Sequence, residues 1–106
     1  GGEQQMLALA KAMVNPPVVL LVDEPSLGLA PIMIREAFKA LAELRSAGIA
    51  ILLVEQNVRG ALALADRAYV LRQGEIVMAA DSRALLQQEE ILKQHLVTQA
   101  VRPKVP

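Results

Sequence analysis

The chain holds 106 residues, with 11 Lys and Arg against 11 Asp and Glu, one His, no Cys and no Trp. That length suits one small domain, and an apolar fraction of 54% excludes a disordered tail. Zero formal net charge removes the electrostatic case for a nucleic-acid partner, and the lack of Cys removes disulfide frameworks, Cys-based zinc sites and thiol chemistry. The longest apolar run is Ile49–Val54, and Val18–Val22 is one residue shorter. Both fall far short of the roughly 20 residues that a membrane-spanning helix needs, and no basic-then-apolar leader opens the chain. The sequence opens Gly1-Gly2-Glu3 rather than with Met, so we expect it to begin inside a longer chain or to be processed.

Helix and strand signals alternate along the chain. From Glu3 to Val14 the apolar residues Met6, Leu7, Ala10, Met13 and Val14 recur at helical spacing and predict one buried face. Asn15-Pro16-Pro17 stops that helix, because proline lacks an amide hydrogen and drives its predecessor out of helical geometry. Val18–Val22 is aliphatic at every position, the pattern of a strand buried on both faces in a parallel sheet. Asp23–Ala30 reads as a loop, and Pro31 suits the first turn of a second helix. Its buried stripe is predicted at Ile34, Ala37, Phe38, Leu41 and Leu44, with Gly48 as a left-handed stop. Ile49–Val54 is a second continuous strand, so strand, helix and strand form a βαβ unit with a right-handed crossover.

Asn57 is placed to cap a short helix running through Ala65. Ala68–Arg72, Gln73-Gly74 and Glu75–Ala79 read as a hairpin with glycine in its turn. Asp81-Ser82 caps a last helical region from Arg83 to about Thr98, and Ala100–Pro106 is expected to fray. No internal repeat or linker interrupts this α/β pattern.

In open α/β sheets, ligands sit beyond the carboxyl ends of the strands. Asp23 and Glu24 lie at that end of the first strand, and Glu55 and Gln56 at that end of the second. One carboxylate at a strand tip can hold Mg²⁺ and another can orient or deprotonate a water. Taken alone, an acidic pair after a strand is as well explained by the start of a solvated loop. The same holds for Gly1-Gly2, although Gly1-Gly2-Glu3-Gln4-Gln5 opens a helix whose amides and dipole suit an anion.

The order of these pieces is specific: Gly-Gly-Glu-Gln-Gln, a helix, Pro-Pro, five aliphatics, Asp-Glu-Pro, then Ser26-Leu27-Gly28-Leu29. Over residues 1–98 the chain resembles the C-terminal part of the nucleotide-binding domain of ABC transporter ATPases, with 99–106 as a frayed tail. Gly1-Gly2-Glu3-Gln4-Gln5 looks like the signature motif without its leading Leu-Ser. Val18–Glu24 looks like the Walker B strand with its glutamate, and Ser26–Leu29 occupies the place of the D-loop. The fold implied is a partial P-loop NTPase (ABC ATPase) α/β fold, a parallel βαβ core followed by a hairpin and helices. The resemblance implies that Asp23 serves the Mg²⁺ shell and that Glu24 polarises the water attacking the γ-phosphate of ATP. Gly1, Gly2, Glu3 and Gln4 would contact ATP held by a second ATPase subunit in a head-to-tail dimer. Ser26, Leu27, Gly28 and Leu29 would pass between the two subunits. The resemblance further implies membrane permease subunits as partners and a place at the cytoplasmic face of the inner membrane.

Most of the family carries His after the acid of the second strand, whereas this chain reads Val54-Glu55-Gln56-Asn57. Gln56 donates from its amide but carries no proton at neutral pH, which favours Glu24 as base and Gln56 as γ-phosphate sensor. That run, with Ala65–Leu71, looks most like the ATPases of branched-chain amino acid importers, with urea and short-amide importers close behind. The C-terminal end departs from the family: Ala79-Ala80-Asp81 stands where Glu-Gly is usual, and lone His95 reads as a surface or packing residue. No phosphate loop ending in Gly-Lys-Ser/Thr occurs in the chain, and the resemblance places that half, with a further strand, before Gly1. Its absence is expected to leave strand edges unpaired and to weaken ATP binding. Soluble repair or translation ATPases, and a truncated non-catalytic interaction module, are the competing readings.

Overall fold

The computed structural model describes residues 2–88. Its elements are α1 (Gly2–Val14), β1 (Val19–Asp23), α2 (Pro31–Ser46), β2 (Ala50–Val54), α3 (Val58–Leu64), β3 (Arg67–Arg72) and β4 (Glu75–Asp81), and residues 82–88 are again helical. They group into two compact units that divide after Leu64. The tail at 100–106, the end of the last helix and His95 lie outside the described residues.

In the first unit, β1 and β2 pair in parallel, with Leu21 beside Leu52 and Asp23 beside Val54. The sixteen residues of α2 make the crossover between them. Pro31 starts α2 at a position where its missing N–H costs nothing. After the helix, Gly48 at φ 93° turns the chain toward β2, a backbone conformation that glycine adopts without steric cost. The core is a cluster of Leu9, Ala12, Val22, Ala37, Leu41, Leu44 and Ile49, with Phe38, Ile51 and Leu53 packed on it. The α2 stripe is thus the one expected, with Ile34 and Phe38 half-buried rather than fully covered.

Two expectations are corrected. On α1 the buried residues are Leu9 and Ala12, whereas Leu7, Met13 and Val14 are exposed. That helix is apolar nearly all round, so two stripes compete, and packing against α2 selects the one through Leu9 and Ala12. The strands, in turn, are covered on one face only among the described residues. Leu20 and Val22 face the core, while Leu21 and Leu52 are 73% and 62% exposed. A continuous aliphatic run states that both faces are suited to burial; it does not supply the layer that covers the second face.

The second unit contains the expected hairpin, with β3 and β4 antiparallel. Gln73 at φ 51° and Gly74 at φ 80° form its two-residue turn, both in the left-handed region that such turns require. The register slips between Val70 and Leu71, so that Val77 is the extra residue of a bulge. Beyond the hairpin, Asp81 Oδ1 accepts from the Arg83 amide at 2.8 Å, the capping contact expected of it.

Leu41 is fully buried at the centre of the first unit. Leu41→Ala should cost about 2–5 kcal/mol in urea denaturation. Leu21→Ala, on the open sheet face, should cost under about 1 kcal/mol. Equal losses at the two positions would contradict the one-sided core.

Candidate functional site

The carboxyl ends of β1 and β2 place Asp23, Glu24, Glu55 and Gln56 at one edge of the first unit. Asp23 is the last residue of β1 and is exposed, on the same face as Val19 and Leu21. Glu24 still pairs with the sheet through its amide, which donates to the Val54 carbonyl at 2.7 Å. Its φ is 48°, a left-handed conformation uncommon for a residue with a side chain. The chain leaves the strand sharply at this point, and the next residue, Pro25, is fully buried and anchors the turn.

Glu24 and Gln56 meet. Gln56 Nε2 donates to Glu24 Oε1 at 3.1 Å, across 32 residues of sequence. The two residues expected to act together are therefore joined directly. Ser26, Leu27, Gly28 and Leu29 form consecutive turns, with the Leu27 amide on the Glu24 carbonyl and the Leu29 amide on the Ser26 carbonyl. Gly28 sits at φ 75°, Leu27 is exposed and Leu29 packs against the core. Gly2, Glu3 and Gln4 lie in the first turn of α1, with Glu3 and Gln4 exposed, and Gly1 is outside the described residues. Among the described residues no hydrogen bond joins that helix end to the strand tips.

The centre of the hydrogen-bond network is Glu55, which sequence reasoning placed at the strand tip without giving it a role. Its Oε1 accepts from Ser26 Oγ at 2.5 Å, from the Gln56 amide at 3.0 Å and from the Asn57 amide at 3.1 Å. Its Oε2 accepts from the Ser26 amide at 3.1 Å. The available signal was the register: with Asp23 beside Val54, the residue after Val54 must border the loop that starts β1's exit. Asn57 caps α3 as expected, its Oδ1 accepting from the Gly60 amide at 3.2 Å.

Partial burial of Glu55 raises its carboxyl pKa, but the Ser26 hydroxyl and the Asn57, Ser26 and Gln56 amides together outweigh that and hold it below the ordinary 4.5. Among the described residues no group of three or more acidic or His side chains is placed to hold a metal ion. Asp23, exposed at the end of β1, and its neighbour Glu24 are the carboxylates that could hold Mg²⁺, an ion that takes one or two carboxylates and completes its shell with phosphate oxygens and water.

No protein-family model matches the chain. It is 52% identical over 96 residues to the high-affinity branched-chain amino acid transport ATP-binding protein BraG of Pseudomonas aeruginosa, covering 91% of this chain and 41% of BraG. It is a homologue of the ABC transporter ATP-binding proteins. The probable branched-chain amino acid transport ATP-binding protein LivF of Archaeoglobus fulgidus is 42% identical over 94 residues, covering 88% of this chain and 40% of LivF. The lipopolysaccharide export system ATP-binding protein LptB of Escherichia coli is 32% identical over 96 residues, covering 91% of this chain and 40% of LptB. The chain thus spans about 40% of the length of these curated relatives. Among solved structures, cbiO1 from Clostridium perfringens, part of the ABC transporter complex cbiONQ, superposes with a TM-score of 0.72 at 26% identity. That match covers 88% of this chain and 38% of cbiO1. A nucleotide-free ATP-binding cassette from an ABC transporter superposes at 0.71 with 24% identity, over 82% of this chain and 34% of its own. The fold is part of an ABC ATPase domain, as the motif order implied.

Because the folded pKa of Glu55 is depressed, its contribution to folding is present above the ordinary carboxylate range and is lost as pH falls through the folded value. An NMR titration following the amides of Ser26, Gln56 and Asn57 should show all three moving together, with a midpoint below 4.5. A midpoint at or above that value would contradict the hydrogen-bond network.

Proposed function

We propose that these residues belong to the ATP-hydrolysing subunit of an ABC importer for branched-chain amino acids, supplying its signature motif, Walker B acids and D-loop. The higher identity to BraG and LivF than to the exporter subunit LptB supports the importer reading. The observation that carries the catalytic part is the hydrogen bond from Gln56 to Glu24. In this reading Glu24 is the base. One carboxylate oxygen is steadied by the Gln56 amide, leaving the other to accept a proton from the attacking water. The amide of Gln56 donates at every pH near neutrality, so it orients Glu24 without competing for that proton. It also lies at the strand tip where it can sense a γ-phosphate.

Asp23, exposed beside Glu24, would hold Mg²⁺ through water, and the ion when bound neutralises charge on the phosphate oxygens. Phosphoryl transfer depends chiefly on positioning and charge stabilisation, which is what two acids and a fixed amide provide. Gly1 in the sequence and the first turn of α1, which starts at Gly2 and holds Glu3 and Gln4, would offer backbone amides and the positive end of the helix dipole to ATP bound on a second subunit. Ser26–Leu29 would run between the two subunits. Permease subunits would be the membrane partners of a peripheral protein at the cytoplasmic face of the inner membrane. No helix among the described residues is long and apolar enough to cross a membrane.

In an ATPase of the relatives' length carrying these residues, Glu24→Gln should lower turnover by about 10²-fold or more while ATP binding persists. Unchanged turnover would remove Glu24 from the mechanism. The 106-residue chain alone lacks a phosphate loop. Calorimetric titration with ATP should find no binding tighter than about 100 μM, since that loop provides the phosphate cradle. Low-micromolar affinity would contradict this. Co-purification with an amino-acid permease rather than a lipopolysaccharide-export partner would separate the importer from the exporter.

A further inference from the structure

We propose that Glu55 is a positioning residue that ties the Ser26 turn to the Gln56 backbone, so that Gln56 reaches Glu24 only while that turn is in place. This rests on the reading of Glu24 and Gln56 given above, and it assigns a role to a side chain outside that mechanism.

The geometry is that of a joint between two anchored segments. On one side, Ser26 follows the fully buried Pro25, and the turn is closed by the Leu27 amide on the Glu24 carbonyl. Ser26 gives both its hydroxyl and its amide to Glu55, one to each carboxylate oxygen. On the other side, Asn57 is fixed by capping α3. The cap is backed by close packing: a Cβ added at Gly60 would lie 3.0 Å from Asn57 Nδ2 and 3.0 Å from Phe38 Cζ of α2. Between these anchors, the Gln56 and Asn57 amides point to the same Oε1 that takes the Ser26 hydroxyl.

Gln56 itself is exposed, and the hydrogen bond to Glu24 is made by its side-chain amide. Its reach to Glu24 is set by its backbone, and its backbone amide is held by Glu55. Charge-assisted hydrogen bonds of this kind are about twice as strong as neutral ones, and a carboxylate with both oxygens engaged resists rotation. Displacing Ser26 would break two of the four bonds and free the carboxylate to turn. Gln56 would lose its alignment without any change to its own side chain. A contact on the Ser26–Leu29 turn is thereby transmitted to the Glu24–Gln56 pair through one carboxylate.

The test uses the ATPase of the relatives' length, with Glu24→Gln as the control for the underlying reading. Glu55→Ala should lower kcat about tenfold with KM for ATP within about twofold, because a misplaced group slows chemistry more than it weakens binding. Glu55→Gln should recover most of that loss, since its amide oxygen still accepts the bonds made to Oε1. Ser26→Ala, which enters the joint from its other end, should fall between the two. The deciding measurement is the cycle with Gln56: Glu55→Ala added to Gln56→Ala should slow turnover no further, because the first acts through the second. Hydrogen exchange should show Ser26, Gln56 and Asn57 amides losing protection together in Glu55→Ala. Full turnover in Glu55→Ala, or losses that multiply in the double variant, would overturn the inference while a dead Glu24→Gln left the base in place. An active Glu24→Gln would instead overturn the reading beneath it.

Discussion

Parallel pairing of β1 with β2 brings together side chains 29 and 32 residues apart in sequence, because both strands end at the same edge. Asp23 beside Val54 sets the register, and every contact of the candidate site follows from it. A shift by one residue would turn each strand's side chains to the opposite face and move Glu55 away from the Ser26 turn. The register is held by the aliphatic core beneath, where Val22 is buried and Leu53 packs against it through the Leu41 cluster. Core packing and site geometry are thus one constraint seen from two sides.

The sheet's second face gives that constraint its other consequence. Val19, Leu21, Leu52 and Val54 form an apolar surface that the described residues leave open. The relatives are more than twice as long as this chain. An aliphatic run suited to burial on both sides, with only one side covered, fits a segment that folds as one part of a larger sheet. The acids at the strand tips share this character. Glu24 holds the side-chain amide of Gln56 there, and no Gly-rich phosphate loop ending in Gly-Lys-Ser/Thr occurs in the sequence.

Much of the architecture was legible in the residues. Asn15-Pro16-Pro17, Pro31, Gly48 and Asn57 each mark an element boundary through backbone chemistry that acts locally, and the structure places boundaries at each. The pairing of Glu24 with Gln56 was also within reach, since parallel strands must present their ends together. The buried face of α1 was not. Met6, Leu7, Leu9, Ala10, Ala12, Met13 and Val14 offer two helical stripes of similar hydrophobicity, and only the position of α2 distinguishes them.

The sequence by itself determined the order of elements, the capping and turn residues, and the kinship carried by Gly-Gly-Glu-Gln-Gln and Asp-Glu-Pro, because these depend on local backbone preference and on residue identity. Tertiary structure alone decided which face of α1 is covered, how far the sheet is covered, and that Glu55 rather than Glu24 gathers the loops. Hydrogen bonding is directional and short-ranged: a carboxylate one residue beyond a strand can accept four donors only where the fold delivers them within about 3 Å.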